Sequence, residues 1–231
     1  MLHGFGMEPR TYLPLARLLA DRARVVIPAI FDLPGPWTFE RALDCIEATL
    51  DARGLDRVTL IGHSFGGGLV LGLAARRPQG VVECVFGDTL GVRARLGLAA
   101  GALRHPFGIL AMATPAATRA FVCSVTRHPL QLAAGALWAF GTDRRPEIDA
   151  IAAAGIPCHV LWANHDTLLA QSDGREFAHR LRATFTVAQD PRADHDWMFD
   201  DPELFASHLD ALGLRALGGT FGGVVGDTRR G

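Results

Sequence analysis

The sequence predicts an α/β protein: a mostly parallel sheet covered by helices on both faces, interrupted by a helical insertion. Three observations carry this. Short apolar runs alternate with amphipathic helical stretches over the first 90 residues and again after residue 155, the pattern of parallel strands joined by helical crossovers. Between them, residues 91–154 hold no strand signal, only Ala- and Leu-rich stretches punctuated by Pro106, Pro115, Pro129 and Pro146. The 231 residues, 49% hydrophobic and 20% charged, suffice for one domain with a continuous core. The expected organisation is a core of residues 1–90 and 155–213 and an insertion over 91–154, too apolar to be left in water. A Gly-rich tail, 214–231, is expected to be disordered.

The elements follow in order. Apolar residues recur at helical spacing over Tyr12–Leu19, and the apolar run at Val25–Pro28 reads as a strand. The next amphipathic helix opens at Thr38, an N-cap type, and stops at Gly54. A buried strand is expected at Val58–Ile61, then a helix from Phe65 ended by Pro78, then a strand in "VVECVFGD". After the insertion come the strand "IPCHVLWA", the helix "SDGREFAHRLRA", the strand "TFTVAQD", a loop and the helix "DPELFASHLDALG".

Composition excludes several classes. The formal net charge of −1 gives no field to recruit nucleic acid, and all 23 basic residues are scattered arginines. Cys45, Cys84, Cys123 and Cys158 lie far apart without metal-ligand spacing, so they read as free thiols of a reducing compartment, with a cytoplasmic location expected. The most apolar stretch, Leu96–Ala113, is broken by Arg104, His105 and Pro106 and is no membrane span. The acidic stretch Asp190–Asp201 lacks the alternating ligands and glycine of a calcium loop, and no metal is expected.

The chemistry concentrates at Gly62-His63-Ser64-Phe65-Gly66, a G-x-S-x-G set between a predicted strand and a predicted helix. In that context the serine sits on a sharp turn with no room for side chains two positions either side. The turn lifts its hydroxyl above the carboxyl end of the sheet, where the helix N-terminus favours an anion. A Gly-rich turn with an N-capping serine is the bland alternative. A nucleophilic serine needs a base and the base an orienting acid, both from the ends of later strands. Asp166, after "IPCHVLWA", and His195, in the loop before the last helix, have the required order and position. Asp88, also at a strand end, is the rival acid, and eight further histidines compete less well as base.

With "HGFG" at His3–Gly6, "GHSFGG" at Gly62–Gly67, "ANHD" at Ala163–Asp166 and "DHDW" at Asp194–Trp197, the chain resembles the α/β-hydrolase family from its first residues to about Leu212. The resemblance implies a serine hydrolase with Ser64 as nucleophile, His195 as base, Asp166 as acid, and the Phe5 and Phe65 backbone N–H groups as oxyanion hole. It implies that 91–154 caps the site and that no cofactor is needed. Ester cleavage is the first expectation because it makes the least demand on the site, and an insertion rich in Leu, Ala, Phe107, Met112, Phe121, Trp138 and Phe140 points to a small apolar acyl or alcohol moiety. Cofactor-free perhydrolysis, carbon–carbon bond hydrolysis and a non-catalytic receptor or inactive scaffold are the alternatives. The sequence leaves the oligomeric state open. Two strands of the family are absent, and the one leading into the His-Gly pair is reduced to Met1-Leu2, between Val25–Pro28 and Val58–Ile61. Residues upstream of Met1 are therefore expected, and the Phe5 donor is the part of the site most dependent on them.

Overall fold

The computed structural model describes residues 1–92, 115–141 and 143–214. A four-stranded, wholly parallel sheet forms the centre, in the order β1 (Val58–His63), β2 (Val81–Gly87), β3 (Cys158–Ala163), β4 (Thr184–Ala188). The helices are α1 (Leu13–Leu19), α2 (Phe39–Asp51), α3 (Phe65–Arg76), α4 (Pro115–Arg127), α5 (Pro129–Gly141), α6 (Arg145–Ala154), α7 (Gln171–Leu181), α8 (Trp197–Asp200) and α9 (Pro202–Ala211). None is long and apolar enough to cross a membrane, among the described residues.

Strand side chains alternate between two cores, as the pleat requires. Leu60, Cys84, Phe86, Val160 and Trp162 face a cluster with α2, α3, α6 and α7. Ile61, Val85, Leu161, Ala163 and Ala188 face the other, with α1, α8 and α9. Both faces are covered, so the strands read as unbroken apolar runs rather than alternating ones. Thr38 caps α2 as expected, its side chain accepting from the Arg41 N–H at 3.2 Å. All four cysteines are free, and Cys84 and Cys158 are buried partners in register on β2 and β3.

Three expectations change. Val25–Pro28 forms no strand. Among the described residues its neighbour is Met1-Leu2, too short to propagate a sheet: the Met1 ammonium donates to the Val26 carbonyl (2.7 Å), and Leu2 makes one parallel bridge to Gly62. That bridge consists of Leu2 N–H to Ile61 O (2.8 Å) and His63 N–H to Leu2 O (3.1 Å). Below it a groove of about 670 Å³ opens between Val25-Val26 and Val58–Leu60. The expected insertion also divides. Helices α4 and α5 lie over the carboxyl end of the sheet, whereas α6 packs on α3 and α7 and buries Ile148 and Ile151 in the core. Finally, the loop before α9 contains the short helix α8, whose Trp197, Met198 and Phe199 are buried. Residues His105, Phe107 and Met112 and the tail from 215 lie outside the described residues.

Candidate active site

Ser64 sits between β1 and α3 with φ 50° and ψ −116°, a conformation costly for a residue with a Cβ. Its surroundings hold it there. The Ser64 N–H donates to Gly87 O (3.0 Å), and its carbonyl accepts from Gly67 N–H (3.0 Å) and the Thr89 hydroxyl (2.9 Å). The flanking glycines are required by space. A Cβ on Gly62 would stand 2.7 Å from Gly67 Cα, and one on Gly66 would stand 2.2 Å from the Leu2 carbonyl oxygen. The turn is wedged between the first residues of the chain and its own helix.

His195 and Asp166 reach this serine from two other loops. His195 Nε2 lies 3.1 Å from Ser64 Oγ, and His195 Nδ1 lies 2.9 Å from Asp166 Oδ2. The other carboxylate oxygen accepts from the Leu168 and Leu169 N–H groups, both at 2.8 Å. Two amide donors on one Asp166 oxygen fix where the second oxygen points, toward His195 Nδ1. Burial alone would raise its pKa. The charge and hydrogen bond of His195, with the Leu169 and Leu168 amides, outweigh that and lower it. For His195, burial opposes the charged form, but the Asp166 charge and hydrogen bond, then Asp196 and Asp88, push its pKa up to about 10.

Asp88 is placed elsewhere. Its Oδ1 accepts from Ala163 N–H at 2.7 Å and its Oδ2 from the Trp197 indole N–H at 2.5 Å, so both oxygens are committed away from the His195 ring nitrogens. It is fully buried and its pKa is raised, by burial first and the Asp166 charge second. Asp88 ties the end of β3 to the helix beginning two residues after His195.

Three further histidines have structural partners. His159 meets the Thr184 hydroxyl at 2.9 Å, and His208 bonds the Leu204 carbonyl. His3 orders the loop around Phe5: Ile30 N–H donates to its Nε2 (3.3 Å), so Nδ1 carries the hydrogen bonded to Gly4 O (3.0 Å). Burial lowers its pKa to about 4 and keeps it neutral. Phe5 follows this anchored pair, while Phe65 is the first residue of α3, whose N–H has no acceptor within the helix. Both border the same cavity as Ser64 and His195.

That cavity measures about 150 Å³ and is almost wholly apolar, lined by Met7, Leu90, Leu168 and Leu169 from the core and Phe121, Ala136, Ala139 and Phe140 from α4 and α5. Two sequence expectations about its roof, Phe121 and Phe140, fall on it; Trp138 instead packs on Phe39 and Phe65 beneath. The side chains of His63, His195 and Asp196 approach within 4.8 Å of one another. They do not make a metal site, because both His63 nitrogens and both His195 nitrogens already face the hydrogen-bond partners Tyr12, His195 O, Asp166 and Ser64.

Sequence reasoning missed Tyr12, Thr89 and the Leu168-Leu169 amides. The last had a visible signal, since an Asp followed by N–H donors two and three residues on is a common turn former. Tyr12 is the chain's single tyrosine, which alone marks nothing.

A family model described as the alpha/beta hydrolase family matches residues 1–208. A candidate non-heme haloperoxidase of Mycobacterium phage D29 is 27% identical over 242 residues, covering 92% of this chain and 86% of the phage protein. Lipase LipV of Mycobacterium tuberculosis is 42% identical over 53 residues, which are 23% of this chain and 20% of the lipase. Among solved structures, a thermophilic esterase from Thermogutta terrifontis superposes with a TM-score of 0.70 at 19% identity, over 94% of this chain and 89% of the esterase. A bromoperoxidase from Bacillus anthracis does so at 0.67 and 14%, over 91% and 89%.

Proposed function

The chain belongs to the alpha/beta hydrolase family, and on that premise we propose that it is a serine hydrolase cleaving carboxylic esters with a small apolar acyl group. The observation that carries the reading is the hydrogen-bonded series Ser64 Oγ, His195, Asp166, at 3.1 and 2.9 Å, opening onto an apolar cavity of about 150 Å³.

The chemistry follows from the proton positions. Asp166 accepts the Nδ1 hydrogen, leaving His195 Nε2 free to take the Ser64 proton as Oγ attacks the ester carbonyl. The imidazolium that forms is the state the neighbouring carboxylates favour, so the proton transfer is assisted as charge develops. In this reading the backbone N–H groups of Phe5 and Phe65, residues that border the cavity, donate to the oxyanion and stabilise it before the alcohol leaves with the proton from Nε2. Water, deprotonated by the same nitrogen, then attacks the acyl-enzyme and restores Ser64. No step calls on a cofactor.

The cavity sets the substrate class. Apart from Ser64, His63, His195 and Asp196, its lining is apolar, and burying an unpaired polar group against it costs about 1–3 kcal/mol. Its volume suits an acyl chain of a few carbons rather than a fatty acid. The test is covalent labelling with a fluorophosphonate, locating the modified peptide by mass spectrometry, followed by p-nitrophenyl esters of increasing chain length. Labelling at Ser64, absent from Ser64→Ala, is expected, with turnover highest for acetate to hexanoate. A labelled protein inert to every ester would sink the substrate class while leaving the nucleophile.

A second reading is favoured by the phage relative, whose alignment spans nearly the whole chain. If hydrogen peroxide replaces water as the attacking species, the acyl-enzyme yields a peracid, which oxidises halide outside the protein. Peroxide-dependent bromination in acetate buffer, lost in Ser64→Ala, would identify it. The oligomeric state and cellular location do not enter either reading.

A further inference from the structure

A second line of buried polar groups runs behind Ser64. Gly4 N–H donates to Tyr12 Oη at 2.9 Å, Tyr12 Oη lies 2.7 Å from His63 Nδ1, and His63 Nε2 lies 2.8 Å from the main-chain oxygen of His195. Tyr12 and His63 are each 1% exposed, and Phe199 on α8 stacks edge-on against both rings. Such a line in a fully buried position needs every donor and acceptor matched.

The donor inventory fixes each hydrogen. A carbonyl oxygen only accepts, so His63 Nε2 carries the hydrogen bonded to His195 O. In the neutral ring Nδ1 is then an acceptor, and the Tyr12 hydroxyl must donate to it. The Tyr12 oxygen is left with lone pairs, one of which receives the Gly4 N–H. All the donors point one way, from Gly4 through Tyr12 to His63, and His63 donates onward to His195. Burial first, and the neighbouring His195 charge second, lower the His63 pKa to about 3, so the ring stays neutral through the range in which an esterase works.

The two ends of this line matter more than its middle. Gly4 precedes Phe5, and His3 holds the Gly4 carbonyl from the opposite side, so both polar groups of the Gly4 residue are pinned. The other end holds the backbone of His195 itself. His63 is the residue before Ser64. A hydrophobic side chain would fill the same space without fixing either end.

We infer that Tyr12 and His63 are positioning residues: one directional hydrogen-bond line sets the loop of Phe5 and the backbone of His195 in register with Ser64. The inference rests on the serine-hydrolase reading, and deepens it. Neither side chain touches the cavity's contents through a reacting atom. Their effect is on distance, and misplacing a reacting group by about 1 Å can cost about 100-fold in rate.

The test compares the wild type with Tyr12→Phe, His63→Leu and His63→Gln. Gln keeps one donor and one acceptor near the positions of the imidazole nitrogens; Leu keeps only bulk. The rate of Ser64 labelling by fluorophosphonate, and kcat and KM for p-nitrophenyl butyrate, are measured on protein shown to be folded by its unfolding midpoint. Expected is a fall of about 10- to 100-fold in labelling rate and kcat for Tyr12→Phe and His63→Leu, with KM within about threefold, and partial recovery in His63→Gln. A wild type that labels at Ser64 while folded His63→Leu labels equally fast overturns the inference alone. A wild type that neither labels nor hydrolyses esters overturns the serine-hydrolase reading itself, and is recognised before any variant is compared. Should His63→Leu fail to fold, ring ¹⁵N shifts of the wild type decide: a neutral His63 with hydrogen on Nε2 supports the assignment, and hydrogen on Nδ1 overturns it.

Discussion

Asp166→Asn separates the charge of the acid from its geometry. The Asn carbonyl can keep both backbone donors, Leu168 and Leu169, which now bond Asp166 at 2.8 Å. Its NH₂ group then faces His195 Nδ1, where the carboxylate oxygen stood at 2.9 Å. Two donors cannot share one bond, so Nδ1 becomes the acceptor and the ring hydrogen moves to Nε2, aimed at Ser64 Oγ. In that tautomer His195 cannot take the serine proton. The same exchange in the well-studied serine protease triad costs about 10⁴ in kcat, and we expect about 10³ to 10⁴ here, or roughly 4–5.5 kcal/mol of transition-state stabilisation. The turn keeps its two amide bonds, but the unfolding midpoint should fall near neutrality, where the Asp166 charge stabilises protonated His195, and converge with the wild type toward pH 10. The pH profile adds a second reading. In the wild type the base form of His195 grows only as pH approaches its raised pKa of about 10, so the rate should climb above neutrality. Losing the Asp166 charge, the first of the raising influences, moves the rise in residual activity to lower pH. Labelling rates for both proteins between pH 6 and 10, with calorimetry alongside, measure all three effects. An Asn variant within tenfold of the wild type, with the same pH profile, would show that Asp166 does not orient the base.

Three further outcomes are expected. Gly66→Ala puts a Cβ 2.2 Å from the Leu2 carbonyl, so the bridge to Gly62 must open; unfolding in urea should show a loss of about 1–3 kcal/mol, and an unchanged midpoint would mean that the Met1-Leu2 segment yields freely. Phe140→Ala, at the roof of the cavity, should move the preferred p-nitrophenyl ester to longer acyl chains, read as kcat/KM across the series; an unaltered ranking would remove α5 from the acyl pocket. Stability should fall on both sides of neutrality. His3 and His63, with folded pKa values lowered to about 4 and about 3, contribute stability present above about 6.5 that is lost as pH falls through those values. His195, raised to about 10, contributes stability that is full below about 6.5 and lost as pH rises through 10. Urea midpoints from pH 4 to 10 test this, and His195→Gln should flatten the alkaline side only.

The fold was legible wherever periodicity and turn chemistry agreed. "DRVTLIG" followed by G-x-S-x-G and an apolar helix specified strand, turn and helix together, because three glycines and a serine have few other uses at that spacing. His195 and Asp166 followed from chain order, since the carboxyl ends of successive parallel strands converge on one edge of the sheet. Topology favoured Asp166 over Asp88 without excluding the rival. Both end a strand, and only the hydrogen bonds to Ala163 and Trp197 show that Asp88 is already engaged. The Val25–Pro28 expectation failed because strand propensity is realised by a partner, and Met1-Leu2 supplies only one bridge. Helix α6 was grouped with the insertion because its amphipathic pattern shows an apolar face but not which surface that face meets. The Tyr12–His63 line was invisible for a related reason: its members are 51 residues apart, and no local pattern announces a bond at that separation.

The Met1 ammonium, held on the Val26 carbonyl and lowered by burial to a pKa of about 5, has a practical corollary. Met1 lies in the lining of the groove beside β1, two residues from His3. Any residue joined ahead of Met1 replaces that amine by an amide, beside a groove lined by Val25, Val26 and Val58–Leu60. The residues joined ahead of Met1 thus become an experimental variable for the site itself, with a handle joined after Gly231 as the comparison.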